Sequence, residues 1–201
     1  MTPLPPAFYQ RPDVLLVARE LLGRYVFTRF GGELTGGRIV ETEAYCHHGD
    51  ESLALHLRRK AGQAQGLYRP GGHAYLYAVY GRHTLFNLTT HDAAHPDAVL
   101  VRAIEPTQGL AVMLRRRGLP ALARNLTAGP GLLTQALGLS PALSGLTLQG
   151  PELWMEDRGA AVPEAQVRRS PRVGLAYAGP AAAALPWRFR LLGSPWTSPA
   201  R

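Results

Sequence analysis

The chain has 201 residues, 46% of them apolar and 18% charged. Such a chain can bury about 70% of its unfolded surface, which favours one domain over two and excludes an intrinsically disordered protein. No stretch of about 18 residues is free of charge and polar breaks, which excludes a membrane-spanning helix. The first six residues, Met1-Thr2-Pro3-Leu4-Pro5-Pro6, lack a basic region followed by an apolar one, so no secretory signal is expected. A single cysteine, Cys46, suits a reducing cytoplasm. Net charge is +8 with pI near 10.2, and Lys60 is the only lysine, so the positive field is arginine. Arginine pairs well with phosphate, and a balance of this size is a footprint expected of nucleic-acid binders, with simple solubility or membrane-surface charge as the alternative. A GC-rich genome accounts for Arg over Lys, but not for the excess of charge.

Asp13 followed by Val14, Leu15, Leu16, Ala18, Leu21 and Leu22, then Gly23, predicts a short amphipathic helix with its stop. Residues 24–30 and 33–45, joined by Gly31-Gly32, predict a β-hairpin. Residues 46–72 show little periodicity and read as a long loop, of the kind that is functional when it exceeds about 12–15 residues. A second hairpin is expected at 73–80 and 83–90, and a third strand at 98–104, ended by Glu105-Pro106. Helices are expected at 107–117 and from Gly129-Pro130 to Gly138. The last third mixes Pro and Gly with short apolar runs at 172–177 and 187–192, and the Ala-rich stretch 180–186 reads as an irregular loop. There is no repeat and no linker. One α+β domain over residues 1–201 is expected, a curved and mainly antiparallel sheet flanked by helices, with loosely ordered ends at 1–12 and 197–201.

If residues 39–45 form a strand, Glu41, Glu43 and Tyr45 share one face and Val40, Thr42 and Ala44 the other. Two carboxylates on one strand face are either harmless charges at a solvent edge or a general acid or base on a rigid element. Tyr75 and Tyr77 share a face of the second hairpin, with Tyr80 on the other side near the turn. Such tyrosines either pack a sheet or stack on bases. All seven histidines lie between His47 and His95. None forms a His-Glu-x-x-His motif, and the consecutive Cys46-His47-His48 suit one tetrahedral site poorly, so no metal is expected. Phosphate-loop and serine-nucleophile motifs are absent.

Taken together, eight stretches in order resemble the methylpurine (3-methyladenine or alkyladenine) DNA glycosylases. They are 38–45 (RIVETEAY), 68–71 (YRPG), 75–81 (YLYAVYG), 86–88 (FNL), 101–106 (VRAIEP), 128–130 (AGP), 172–174 (RVG) and 193–196 (GSPW), spanning nearly the whole chain. The resemblance implies that Glu43 activates water and that Arg102 helps hold the water and a phosphate. It implies that Tyr45 and Tyr77 stack on the two faces of a flipped base, that Asn87 crowds the exocyclic amine of guanine, and that Tyr80 wedges into the duplex. The family's pocket histidine falls on Ala54 in an ungapped match, and on His56 if the loop shifts by two residues. Arg69 and Arg82 are expected phosphate contacts, and 115–117 (RRR) either phosphate contacts or a solvated helix end. The implied activity is hydrolysis of alkylated (3-methyladenine, 7-methylguanine) and deaminated (hypoxanthine) purines from double-stranded DNA, by a monomer needing no cofactor. With Lys60 and the N-terminus as the only amines, no Schiff-base strand cleavage is expected. The competing readings are a damaged-DNA binder without hydrolysis and a zinc hydrolase built on the histidines.

Overall fold

Residues 2–79, 81–159 and 161–199 are described by this computed structural model. The strands are β1 (Thr2–Pro3), β2 (Tyr25–Phe30), β3 (Glu33–Tyr45), β4 (Ala74–Val79), β5 (His83–Thr89), β6 (Ala98–Gln108), β7 (Leu153–Asp157), β8 (Val167–Ser170) and β9 (Arg188–Leu191). The helices are α1 (Pro6–Tyr9), α2 (Val14–Glu20), α3 (Glu51–Arg59), α4 (Ala61–Ala64), α5 (Leu110–Arg117), α6 (Pro130–Leu137) and α7 (Gly179–Ala184). Asp13 caps α2 by accepting the Leu16 N–H, and Gly31 and Gly32 take the positive φ that the β2–β3 turn requires.

One antiparallel sheet runs in the order β1-β7-β2-β3-β6-β5-β4, as the α+β reading expects. β3 is long enough to change partners along one side. Its first half pairs with β2, and Glu41–Glu43 pair with β9, which also carries β8. Its other side pairs with β6. The Glu41–Glu43 segment is therefore flanked by strands on both sides, and the solvent-edge reading of its carboxylates fails: both are fully buried.

The predicted division of faces holds. Thr42 donates its hydroxyl to the Ala18 carbonyl of α2 at 2.8 Å, and Ala44, Val99 and Val101 join the main core. On the opposite side, Leu53 of α3 packs with Leu67, Tyr75 and Ala98, and Tyr45 and Tyr77 lean against this smaller cluster. Burying a leucine is worth about 1.5–3 kcal/mol, enough for Leu53 and Leu67 to hold α3 over the sheet as a wall.

Several expectations are corrected. The loop expected at 46–72 contains α3, α4 and a 3-10 turn at Gln65–Leu67. Asp50 caps α3 through the Ser52 N–H, and Leu53 and Leu57 recur at helical spacing among polar residues that mask it. β6 continues through Pro106 to Gln108, because beyond Leu100 β5 no longer pairs with it and no ladder on that side needs the missing N–H. The following helix starts at Leu110, after Gly109 at φ 73°. The alanines of 180–186 form α7, with Pro180 in its first turn and Pro186 beyond its end, positions that helices tolerate. β7 and β8 were not foreseen. Among the described residues near the ends, β1 pairs with β7, Leu4 and Tyr9 are buried, and Ser198 is buried against Glu41.

Candidate active site

The β3–β6 ladder slips twice where the site is built. Ile39 faces Ile104 and Glu41 faces Ala103, leaving Val40 as an extra residue. Thr42 then faces Val101, leaving Arg102 as the extra residue on β6. A bulge re-aims the side chain it carries. Arg102 reaches both carboxylates of β3, with Nε 3.0 Å from Oε1 of Glu41 and Nη1 3.2 Å from Oε2 of Glu43.

Glu43 accepts from two more groups: the Val173 N–H at 2.8 Å on Oε1 and the Tyr45 hydroxyl at 3.0 Å on Oε2. A carboxylate offers about four acceptor sites, so these three partners leave room for one more, such as a water. Tyr45, Arg102 and Val173 all line a groove of about 430 Å³, so Glu43 lies directly behind its wall. Glu41 is held differently. Its Oε1 accepts from Arg102, from Arg188 Nε at 2.7 Å and from the Ser198 hydroxyl at 2.8 Å, and its Oε2 accepts from the Ser198 N–H. Two buried carboxylates thus meet two buried guanidiniums, the balance that buried charges need. Burial opposes the charge of Arg102, but Glu43 and then Glu41 outweigh it and hold its pKa above the ordinary value.

A second buried pair supports the same strand end. Arg172 grips Asp50 with both ends of its fork, at 2.6 and 2.9 Å, and donates to the Ala44 carbonyl at 2.9 Å. Its guanidinium lies 4.7 Å from the ring centroid of Tyr45 and 5.0 Å from that of Trp187. Tyr45 is thus backed by a cation while its hydroxyl is tied to Glu43. Burial and then the Glu43 charge push the Tyr45 phenol well above its usual pKa, so it remains a donor.

Beside the groove is a narrow aromatic slot, and the two share Tyr45, Tyr77 and Tyr177. His56 and Asn87 also line it, whereas Ala54 does not. The His56 ring is 4.8 Å from that of Tyr77, and its Nε2 is 2.8 Å from the Tyr75 hydroxyl. Burial, and then Lys60, lower the pKa of His56, which keeps the ring neutral at pH 7. Asn87 lies between Tyr75 on β4 and Leu100 on β6, its amide 3.4 Å from the Tyr75 carbonyl. Burial also raises the phenols of Tyr75 and Tyr77.

The fold therefore brings Glu43, Arg102, Tyr45, Tyr77, His56 and Asn87 together. Arg69 and Arg82 lie apart on the exposed surface, Arg82 in the β4–β5 turn. Tyr80 lies outside the described residues. The Arg115–Arg117 end of α5 is a structural helix end: Arg115 and Arg116 pair with Glu33, and Arg117 bonds Gln135 and the Asn125 carbonyl. Sequence reasoning missed the Val173 N–H, Arg188, Ser198, the Asp50–Arg172 pair and Tyr177 at the slot mouth. The 172–174 motif was the available clue for Val173 and Arg172. The other contacts join residues more than a hundred positions apart and have no local pattern.

A buried carboxylate paired with an arginine, behind a groove that opens on an aromatic slot, is an arrangement suited to acid–base chemistry beside a flat ring system. Comparison with known proteins narrows the class. The family model for methylpurine-DNA glycosylase (MPG) matches residues 7–195. Among curated relatives, a Chlorobaculum parvum protein is 41% identical over 196 residues, covering 96% of this chain and 90% of its own. One from Myxococcus xanthus is 43% identical (88% and 84% covered), and one from Chlamydia felis 38% (94% and 95%). Each bears the name "Putative 3-methyladenine DNA glycosylase". The chain belongs to the methylpurine-DNA glycosylase family, and its role is that of a DNA glycosylase in DNA repair. Among the described residues no helix is long and apolar enough to cross a membrane.

Proposed function

We propose that the protein excises 3-methyladenine and related purines, including 7-methylguanine and hypoxanthine, from double-stranded DNA, acting as a cytoplasmic monomer on the nucleoid. The carrying observation is Glu43, buried behind the groove wall with one acceptor site left. In this reading the damaged nucleotide leaves the duplex and its base enters between Tyr45 and Tyr77. Stacking returns about 1–3 kcal/mol per base against an extrusion cost of a few kcal/mol. Tyr80 fills the vacated space, and Arg69 and Arg82 hold phosphates.

Glu43 then takes a proton from a water that attacks C1′ of the sugar as the N-glycosidic bond breaks. The bonding pair leaves with the base, and the proton on Glu43 passes to solvent. A 3-methylated purine carries a positive charge that this pair neutralises, and the electron-rich tyrosines favour the cation. Arg102 orients Glu43 and the water, and Asn87 crowds the amine of guanine. Neutral His56 reaches the slot without a charge that would repel a cationic base.

The product is an intact abasic site. Lys60, the only side-chain amine, lines neither the slot nor the groove. The test is release of free base from duplexes carrying 3-methyladenine or hypoxanthine. Wild type releases it, and Glu43→Gln binds the same duplex but releases it about 10²–10⁴-fold more slowly. Lesion binding by wild type without release would favour the non-enzymatic binder. Strand nicking lost in Lys60→Ala would remove the monofunctional reading.

A further inference from the structure

The fold brings His47 against His91 and His95, a pair that already lies close in the sequence. His47 follows the end of β3, and His91 and His95 stand on the turn between β5 and β6. Their ring centroids are 4.6 Å (His47–His95), 4.2 Å (His91–His95) and 6.1 Å (His47–His91) apart. Three imidazoles on one tetrahedral ion, each bound at about 2.0–2.1 Å, have centroids about 5 Å apart. We propose that His47, His91 and His95 form a site for one divalent transition ion, Zn²⁺ above all, outside the catalytic groove.

Four further observations favour a ligand here. Nδ1 of His47 is 2.8 Å from Oδ1 of Asp97, and Nδ1 of His95 is 2.8 Å from Oδ1 of Asp92. A carboxylate on Nδ1 fixes the tautomer and leaves Nε2 as the metal donor, the arrangement usual behind metal-bound histidines. Asp97 is fully buried, its Oδ2 has no hydrogen-bond partner, and among the described residues no Lys or Arg pairs with it. A cation on His47 supplies the missing compensation for that buried charge.

His91 is also the one described non-glycine residue at positive φ, 65°. That strained conformation persists only where the surroundings enforce it, and it sets the His91 ring against that of His95. Its Nδ1 lies 2.7 Å from the Asp92 N–H and 3.2 Å from Asp92 Oδ2, so an ion on the outer nitrogen moves the ring proton to Nδ1, which then donates to that carboxylate. All three side chains remain between 18% and 38% exposed, open to an ion from solvent. The ion clips the turn after β5 to the end of the strand that carries Glu43 and Tyr45.

The test is titration of the metal-stripped full chain with Co²⁺, read by its visible d–d absorption, followed by displacement with Zn²⁺. One ion per chain is expected, with a tetrahedral band that Zn²⁺ abolishes. Zn²⁺ should also raise the melting temperature by several degrees, reversed by a chelator. His91→Gly suits the positive φ and His95→Ala lies at the surface, so both should fold, as circular dichroism would check. Each should weaken Co²⁺ binding at least tenfold, whereas His73→Ala should leave it unchanged. Binding that survives His91→Gly and His95→Ala, that is lost equally in His73→Ala, or that never reaches one ion per chain overturns the proposal.

Discussion

The Tyr45 hydroxyl donates to Oε2 of Glu43 across 3.0 Å, two residues along one strand face. The ring expected to touch the base and the carboxylate expected to activate water are therefore one hydrogen-bonded unit. Movement of either is felt by the other.

The two roles of Tyr45 separate by substitution. Tyr45→Phe keeps the ring and its stacking on Arg172 but removes the bond to Glu43. A hydrogen bond to a charged group is worth about 1.5–3 kcal/mol, so base release under single-turnover conditions should fall about 10–100-fold while affinity for lesion DNA is kept. Tyr45→Ala should weaken binding as well, because about 1–3 kcal/mol of stacking goes with the ring. Equal loss of affinity in both variants would contradict the division.

Glu41 has a structural part in the site. It bridges Arg102, Arg188 and both polar groups of Ser198, and tethers the C-terminal segment beneath the catalytic strand. Glu41→Gln leaves buried guanidiniums short of a counter-charge and should cost about 3–5 kcal/mol. Ser198→Ala should cost about 1–3 kcal/mol, a fall of roughly 2–10 °C in melting temperature for a chain of this size. Thermal denaturation followed by circular dichroism measures both. A Ser198→Ala protein melting with wild type would mean that the tail contributes nothing to the network.

The parts of the site that were legible in the sequence lie on strands with regular alternation. Glu41, Glu43 and Tyr45 could be assigned one face because β3 keeps period two through them, and Tyr75 and Tyr77 likewise on β4. Arg102 could not be aimed this way, since its reach toward β3 comes from a bulge that periodicity does not reveal. His56 hung on loop alignment until α3 placed it. That helix was hidden because Leu53 and Leu57, which pack with Tyr75 and Ala98, are set among Glu51, His56, Arg58 and Arg59. The long-range partners Arg188, Ser198 and Asp50 depend on tertiary pairing alone.

His56 should give the stability curve an acid-side slope. Its folded pKa lies below the ordinary value of about 6.5, because burial penalises the charged ring. In the unfolded chain it binds a proton near pH 6.5, so as pH falls through that value the unfolded state gains protons first and stability drops. The loss stops growing below the folded pKa, and above 6.5 the contribution is intact. His56→Gln removes this slope. The melting temperature of wild type relative to the variant should therefore decline on going from pH 8 to pH 5.5. A constant difference would show that the His56 environment does not favour the neutral ring.

Salt dependence separates arginines that meet DNA from those that hold the fold. If six phosphates are neutralised, the logarithm of affinity should fall with the logarithm of salt at a slope of about −5. Arg69 and Arg82 are exposed, and each change to Ala should make the slope shallower by about 1 while the melting temperature stays close to wild type. Arg116 is the contrasting case, its guanidinium shared among Glu33, the Thr35 hydroxyl and the Ala136 carbonyl. Arg116→Ala should lower the melting temperature and leave the slope unchanged. Filter binding or fluorescence anisotropy between about 50 and 200 mM salt reads the slopes, a range over which six or more phosphate contacts change affinity about 10³-fold or more. An unchanged slope in the Arg69→Ala, Arg82→Ala double variant would place the DNA-binding face elsewhere on the molecule.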